Sequence, residues 1–481
     1  MSWIVQKVSV TRKSSILSLI ILLFSGLIFY LSTRSSPEIQ SFDLTCNYIL
    51  DATLDPFNKQ LVFTEQAQVR NDGQAEISEL YFHLYGNLYQ TETESIKVMS
   101  ITDNNARTIM FEMLDNEQLI LITLNDKLTS GTEISLHFFC EVFIPPMEDR
   151  YGIARDGEIH MPFFYPQLAV ISSGGWNTDS MSKIGDGRYS DVSDYTLRIG
   201  IPSEYEIICS GNELSRETVG SVTKYFFQAN SRRDIVIFAF NDYVKIERTV
   251  GNTRLLGYFN KRKSKAAMEL VMDAAAFSMA YYNRTLIEYP YETLVITNRA
   301  WGTGGASSME YSGAITVAFS DDDPSNGESY DTVVFHEVAH QWFYSLVGNN
   351  ENTEPWLDES FATFFTWLCF TEWVNTKGEE NSIVEDYWEG IIRIGASYVE
   401  GIPVNSSSDE VDVYTLVFYN RGACFLRELM EVIGRDAFIQ ILSNYCNLYA
   451  FDNATTQDFI SLLREQTPIC IDELINEYIS M

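Results

Sequence analysis

Two kinds of patterning divide the chain. Between about residues 40 and 245, short runs alternate apolar with polar positions or gather β-branched and aromatic residues between turn residues. Segments 60–65, 133–138, 195–201 and 234–240 show this best, and a period of two marks strands. Few helical periods interrupt them, so an antiparallel β domain is expected over 38–248. From about residue 250 the spacing lengthens. Segments 264–282, 361–370, 423–433 and 456–464 read as helices, with strands at 254–259 and 292–297. A further helix is expected through Phe335, Val338, Ala339, Phe343 and Leu346, with Asp331 as its cap and Gly348 as its stop. Pro355 suits the first position of the helix after it. The expected fold is therefore α+β and multidomain, with a mainly helical domain over 249–481 behind the β domain.

The first 37 residues follow neither pattern. Lys7, Arg12 and Lys13 precede an uncharged, largely apolar stretch from Ser14 to Thr33, and Arg34 follows. About 20 such residues suffice to cross a bilayer, and basic residues before them favour a cytoplasmic N-terminus. An N-terminal membrane helix in 1–37 is expected. It would make a single-pass protein of the cell membrane, with the remainder extracytoplasmic. A cleaved secretion signal is the alternative, although Arg34 puts a charge where its cleavage site would fall.

Composition narrows the function. A net charge of −33 excludes a nucleic-acid role, because phosphate binding needs a basic surface. The seven cysteines form no Cys-x-x-Cys pair, which argues against a thiolate metal site, and their odd number leaves at least one free thiol. Asn283, Asn405 and Asn453 head sequences that fit glycosylation acceptors.

The chemistry concentrates in one place. Of five histidines, His336 and His340 stand four apart around Glu337, and Glu359 follows at the head of the next expected helix. Residues four apart on a helix share a face, so both imidazoles can bind one metal ion. A carboxylate from a second helix completes three protein donors and leaves a position for water, the layout of a catalytic zinc site. One Zn2+ is expected on His336, His340 and Glu359. Glu337 directly follows a donor and is the candidate general base. His83, His137 and His160 are isolated in the β-rich part and are expected to be structural.

The stretch His336–Phe343, with Trp356-Leu357-Asp358-Glu359, resembles the zinc signature of the aminopeptidase N and leukotriene hydrolase family of metallopeptidases. Ser307-Ser308-Met309-Glu310-Tyr311 looks like that family's exopeptidase motif, and Tyr414 to Gly422 resembles the stretch carrying its catalytic tyrosine. Weaker echoes occur at Tyr165-Pro166-Gln167 and Tyr289-Pro290-Tyr291, so the resemblance covers about residues 50 to 480. It implies a thermolysin-like catalytic domain in which Tyr419 stabilises the oxyanion, Tyr414 lines the substrate pocket, and Met309 and Glu310 contact substrate. Glu310 would hold the free α-amine. Many relatives continue into a large helical domain that encloses the site, so a more open cleft is expected here.

The chain departs from the family pattern at Ser307 and Ser308, in place of Gly-Ala, and at Tyr311, in place of Asn. Arg421 stands where Lys is common, and Ser360 takes a usual glycine position. None of these removes a catalytic atom. The resemblance implies a membrane-anchored zinc aminopeptidase acting on peptides with a free N-terminus. A zinc endopeptidase and a catalytically silent, zinc-stabilised peptide receptor are the alternatives.

Overall fold

The computed structural model describes residues 42–480, apart from 92–93, 182–184, 186, 300–307, 320–329, 379–381, 409–410 and 412. The expected membrane segment lies outside the described residues. Among those described, no helix is long and apolar enough to cross a membrane.

The front of the molecule is built on a seven-stranded sheet. Its spatial order is Asn212–Val219, Val222–Arg232, Ser193–Pro202, Leu44–Asp55, Gln60–Asn71, Glu133–Phe143 and Ile96–Thr102. Two four-stranded sheets accompany it. Alternate side chains of Leu44–Asp55 and Gln60–Asn71 enter a common core, as the period-two pattern requires. One pairing corrects the antiparallel expectation. Leu44–Asp55 runs parallel to Ser193–Pro202, with Tyr48 opposite Tyr195. Parallel neighbours need a long crossover, and the strands between residues 56 and 192 supply it. The strand expected at 234–240 begins only at Ile237. Asp234 is instead drawn into a buried polar cluster described below.

Glu65 interrupts this core. It is fully buried, and neither carboxyl oxygen has a hydrogen-bond partner among the described residues. Burial pushes its pKa well above the ordinary 4.5. The folded state therefore holds a proton that the unfolded chain releases, so this contribution is full below the unfolded pKa and is lost as pH rises above it. Glu65→Leu is expected to stabilise the protein by about 1–3 kcal/mol at neutral pH, and by less at pH 4. Urea unfolding of both proteins at the two pH values checks this; a destabilised leucine variant would contradict it.

The rear begins with a five-stranded sheet in the order Tyr243–Val250, Thr253–Asn260, Thr293–Asn298, Ala314–Val317, Met309–Tyr311. Helix Lys265–Thr285 links two parallel strands, Thr253–Asn260 and Thr293–Asn298. Every residue of Thr293–Asn298 is buried, as befits a strand covered on both faces. The large helical core, including Met272 and Met279, covers one face. On the other, Tyr258, Val295, Met309 and Tyr311 pack with Phe163, Val236 and Phe238 of the front. Met309–Tyr311 is thus a terminal strand of the sheet, clamped where front and rear meet.

Helix Trp356–Lys377 buries its whole first turn, including Asp358 and Glu359, and ends at Gly378 in a left-handed conformation. Pro355 caps it rather than occupying its first position. The helix expected over 331–346 is shorter, running Asp331–Ala339. Asp331 is its first residue, with Tyr330 at the cap, and the chain leaves the helix at His340. Phe343 and Leu346 are buried without it, because compact turns satisfy the same apolar spacing. Gly348 serves close packing rather than helix termination. A Cβ there would fall 2.2 Å from the Arg233 guanidinium carbon, where Val347–Gly348 pairs with Asp452–Asn453.

All seven cysteines are free, six of them buried. The three sequon asparagines use their side chains internally. Asn283 accepts from the Tyr289 amide, Asn405 donates to Ser480 O, and Asn453 accepts from Arg233.

Candidate metal centre

Helix Asp331–Ala339 and the first turn of Trp356–Lys377 bring three donors together. His336 Nε2 lies 3.0 Å from His340 Nε2 and 3.2 Å from Glu359 Oε2, and His340 Nε2 lies 3.4 Å from the same oxygen. A tetrahedral ion with bonds of about 2.0–2.1 Å holds its ligands about 3.3–3.4 Å apart. The triangle of two imidazoles and one carboxylate therefore fits one face of a zinc tetrahedron. His340 and Glu359 are buried, while His336 keeps partial exposure. Burial works against ionising Glu359, but hydrogen bonds from His336 and His340 hold its carboxyl below the ordinary range, in ligand form.

Asp358, one residue before Glu359, was not singled out by its sequence. Its Oδ1 bonds His340 Nδ1, which also contacts Phe343 O at 3.1 Å. An acceptor on Nδ1 leaves Nε2 to bind metal, the usual outer support of a histidine ligand. Glu337 sits on the same helix between the two histidines and is buried.

Tyr419 approaches from a third element, the π-helical segment Thr415–Arg421. Its hydroxyl donates to Glu359 Oε1 at 2.5 Å, and its ring stacks on His336 with centroids 5.4 Å apart. Tyr414, at the start of that segment, lies with its ring 6.2 Å from Tyr419 and packs against Gly185 of the front, where a Cβ would come within 2.6 Å. Met309 is buried in the cluster joining front and rear, and Arg150 Nη1 contacts its sulfur.

Glu310 is where the structure adds most. It is buried, and one carboxylate oxygen reaches within 4.8 Å of donor atoms on His340 and Asp358. Arg188 Nη2 donates to Glu310 Oε1 at 2.8 Å. The same guanidinium bonds Tyr344 Oη at 2.9 Å and lies 3.4 Å from Asp234 and 3.6 Å from Glu351. Asp234 also accepts from Tyr344 Oη and from the Ser312 amide. Burial pushes the Asp234 carboxyl up, and Arg188 opposes that rise. Three carboxyl groups thus gather around one guanidinium. Nothing in the sequence marks Arg188 or Glu351, since their partners lie far along the chain and burial alone reveals the pairing.

The remaining histidines stay apart from the metal donors. His83 stacks on Tyr85 and His160 packs on Phe238, and burial holds their pKa values down, to about 4 and about 3.

A helix pair thus presents two imidazoles and a carboxylate, with a buried glutamate adjacent, a donor set that suits one zinc ion. Residues 267–478 match the Peptidase family M1 domain. Aminopeptidase 2 of Candida albicans is 26% identical over 290 residues, covering 56% of this chain and 30% of that protein. Glutamyl aminopeptidase of Homo sapiens is 25% identical over 302 residues, covering 59% and 31%. The match thus spans about a third of the length of these curated relatives. The fold is similar to a crystal structure of the M1 zinc metallopeptidase from Deinococcus radiodurans, with a TM-score of 0.67 and 16% identity, covering 92% of this chain and 94% of that one. A two-domain M1 zinc metallopeptidase mutant bound to L-tryptophan is similar at the same TM-score.

Proposed function

We propose that the protein is a zinc aminopeptidase that removes N-terminal residues from peptides. The observation that carries this reading is the buried Glu310 carboxylate beside the His340 donor. A carboxylate so placed pairs with an ammonium and poorly with an internal amide, so it measures the substrate from its free N-terminus. The curated relatives named above are aminopeptidases, and a structural neighbour holds a single amino acid.

The residues divide the work. His336, His340 and Glu359 would hold the zinc, with Asp358 fixing the ring of His340. Zinc bound there supplies Lewis-acid polarisation of the scissile carbonyl and a water of lowered pKa. Glu337 takes the water proton and returns it to the leaving amine nitrogen. Tyr419 donates its hydroxyl to the oxygen that gains charge as the carbonyl becomes tetrahedral. Glu310 anchors the α-ammonium, and the strand Met309–Tyr311 offers its backbone edge to an extended substrate. Tyr414 borders the site beside Tyr419.

Glu310→Gln keeps the size of the side chain and loses its charge. It is expected to lower kcat/KM for free-amine substrates roughly 10–100-fold, mainly through KM. An unchanged KM would remove Glu310 from amine recognition and favour endopeptidase action.

On its sequence, the stretch Ser14 to Thr33 would anchor the enzyme with its site outside the cytoplasm. The full chain is then expected in the carbonate-resistant membrane fraction; recovery in the soluble fraction would refute anchoring.

A further inference from the structure

The π-helical segment that carries Tyr419 is tied to the metal-donor helix by Ser360, the residue after Glu359. Ser360 is fully buried, and its Oγ donates to Phe418 O at 2.5 Å. Phe418 immediately precedes Tyr419. In this widened turn the Gly422 amide bonds Val417 O and Tyr419 O and passes over Phe418 O, which it would meet in a regular α-helix. The Ser360 hydroxyl therefore supplies a donor to a carbonyl that the π geometry diverts. The fit is close. A Cβ on Gly422 would lie 1.7 Å from Ser360 Oγ, so the absence of a side chain at 422 makes room for the hydroxyl. On the other side of Tyr419, Asn420 Nδ2 reaches Ile391 O at 3.4 Å.

We propose that Ser360 is a positioning residue for Tyr419. Its hydrogen bond fixes the register of the π-helical segment against the helix holding Glu359, and so sets where the Tyr419 hydroxyl stands relative to the metal donors. Glu359 and Ser360 are consecutive, as are Phe418 and Tyr419. The two bonds, Glu359 to Tyr419 and Ser360 to Phe418, therefore act as a pair of adjacent rungs between the same two elements. Breaking the buried rung frees the outer one to move.

The proposal rests on the peptidase reading for its kinetic part and on geometry alone for its structural part, so the test has two arms. In the first, Ser360→Ala and Ser360→Gly are made in the full chain, loaded with zinc, and assayed on an aminoacyl reporter substrate. kcat is expected to fall about tenfold or more, with KM and bound zinc unchanged, because small displacements of a catalytic group are costly. In a Tyr419→Phe background, Ser360→Ala should cause no further loss. An equal loss in that background, or a kcat within twofold of the parent, would overturn the proposal. In the second arm, a crystal structure of Ser360→Ala should show the Tyr419 hydroxyl displaced from Glu359; an unmoved tyrosine would also overturn it. If the parent protein cleaves no peptide, the aminopeptidase reading falls and the crystallographic arm still decides the role of Ser360. Thermal melts of both variants separate loss of fold from loss of position.

Discussion

Glu337→Gln is expected to lower kcat by about 10²–10⁴-fold while bound zinc stays at one ion per chain. Glutamine matches the size of glutamate, so the helix Asp331–Ala339 and the flanking donors keep their places. What it cannot do is take a proton from water and hand it to the leaving nitrogen. Glu337 is buried on a turn whose neighbours at 336 and 340 are both donors, so a solvent-exposed substitute has no comparable position. Steady-state kinetics with metal analysis of the same sample checks this. A variant that retained a tenth of parental kcat would remove Glu337 from its role.

Tyr419→Phe carries the second large effect. The hydroxyl is the only part of this side chain that can donate to a developing oxyanion, and removing such a donor costs about 10²–10³ in kcat. The ring stack on His336 would survive, because phenylalanine keeps the aromatic face. KM should change little, since the bond strengthens as charge develops rather than on binding. A raised KM with unchanged kcat would instead make Tyr419 a substrate-binding residue.

The grouping of the candidate donors His336, His340 and Glu359 was largely legible in the sequence, for a physical reason. His336 and His340 are related by one helical turn, and Glu359 stands at the start of a separately recognisable helix, so local periodicity carries most of the geometry. The place of Tyr419 beside Glu359 was expected only through resemblance. Tyr419 stands 60 residues from Glu359, and 27 tyrosines compete for the assignment. Arg188 is a harder case. It meets Glu310 across 122 positions of sequence, and a buried guanidinium among carboxylates has no signature short of the fold.

The errors have a common cause. Apolar residues at 343 and 346 suit helical spacing, yet Tyr344 has a positive φ of 123° and its hydroxyl joins Arg188 and Asp234. Asp234 similarly leaves its expected strand. In both places tertiary partners of polar groups override a local apolar pattern. The parallel pairing of Leu44–Asp55 with Ser193–Pro202 is equally non-local, since strand direction depends on the path of the intervening chain. Ser360 looked like a departure from a family glycine, and the structure gives its hydroxyl a partner.

The central claim joins a zinc centre to recognition of a free N-terminus. The most direct test compares a tripeptide with its N-acetylated counterpart, using the full chain with zinc bound and again after chelation. The proposed function predicts rapid cleavage of the free tripeptide, little of the acetylated one, and neither after chelation until zinc is restored. Equal cleavage of the two peptides, or cleavage that survives removal of the metal, would contradict it.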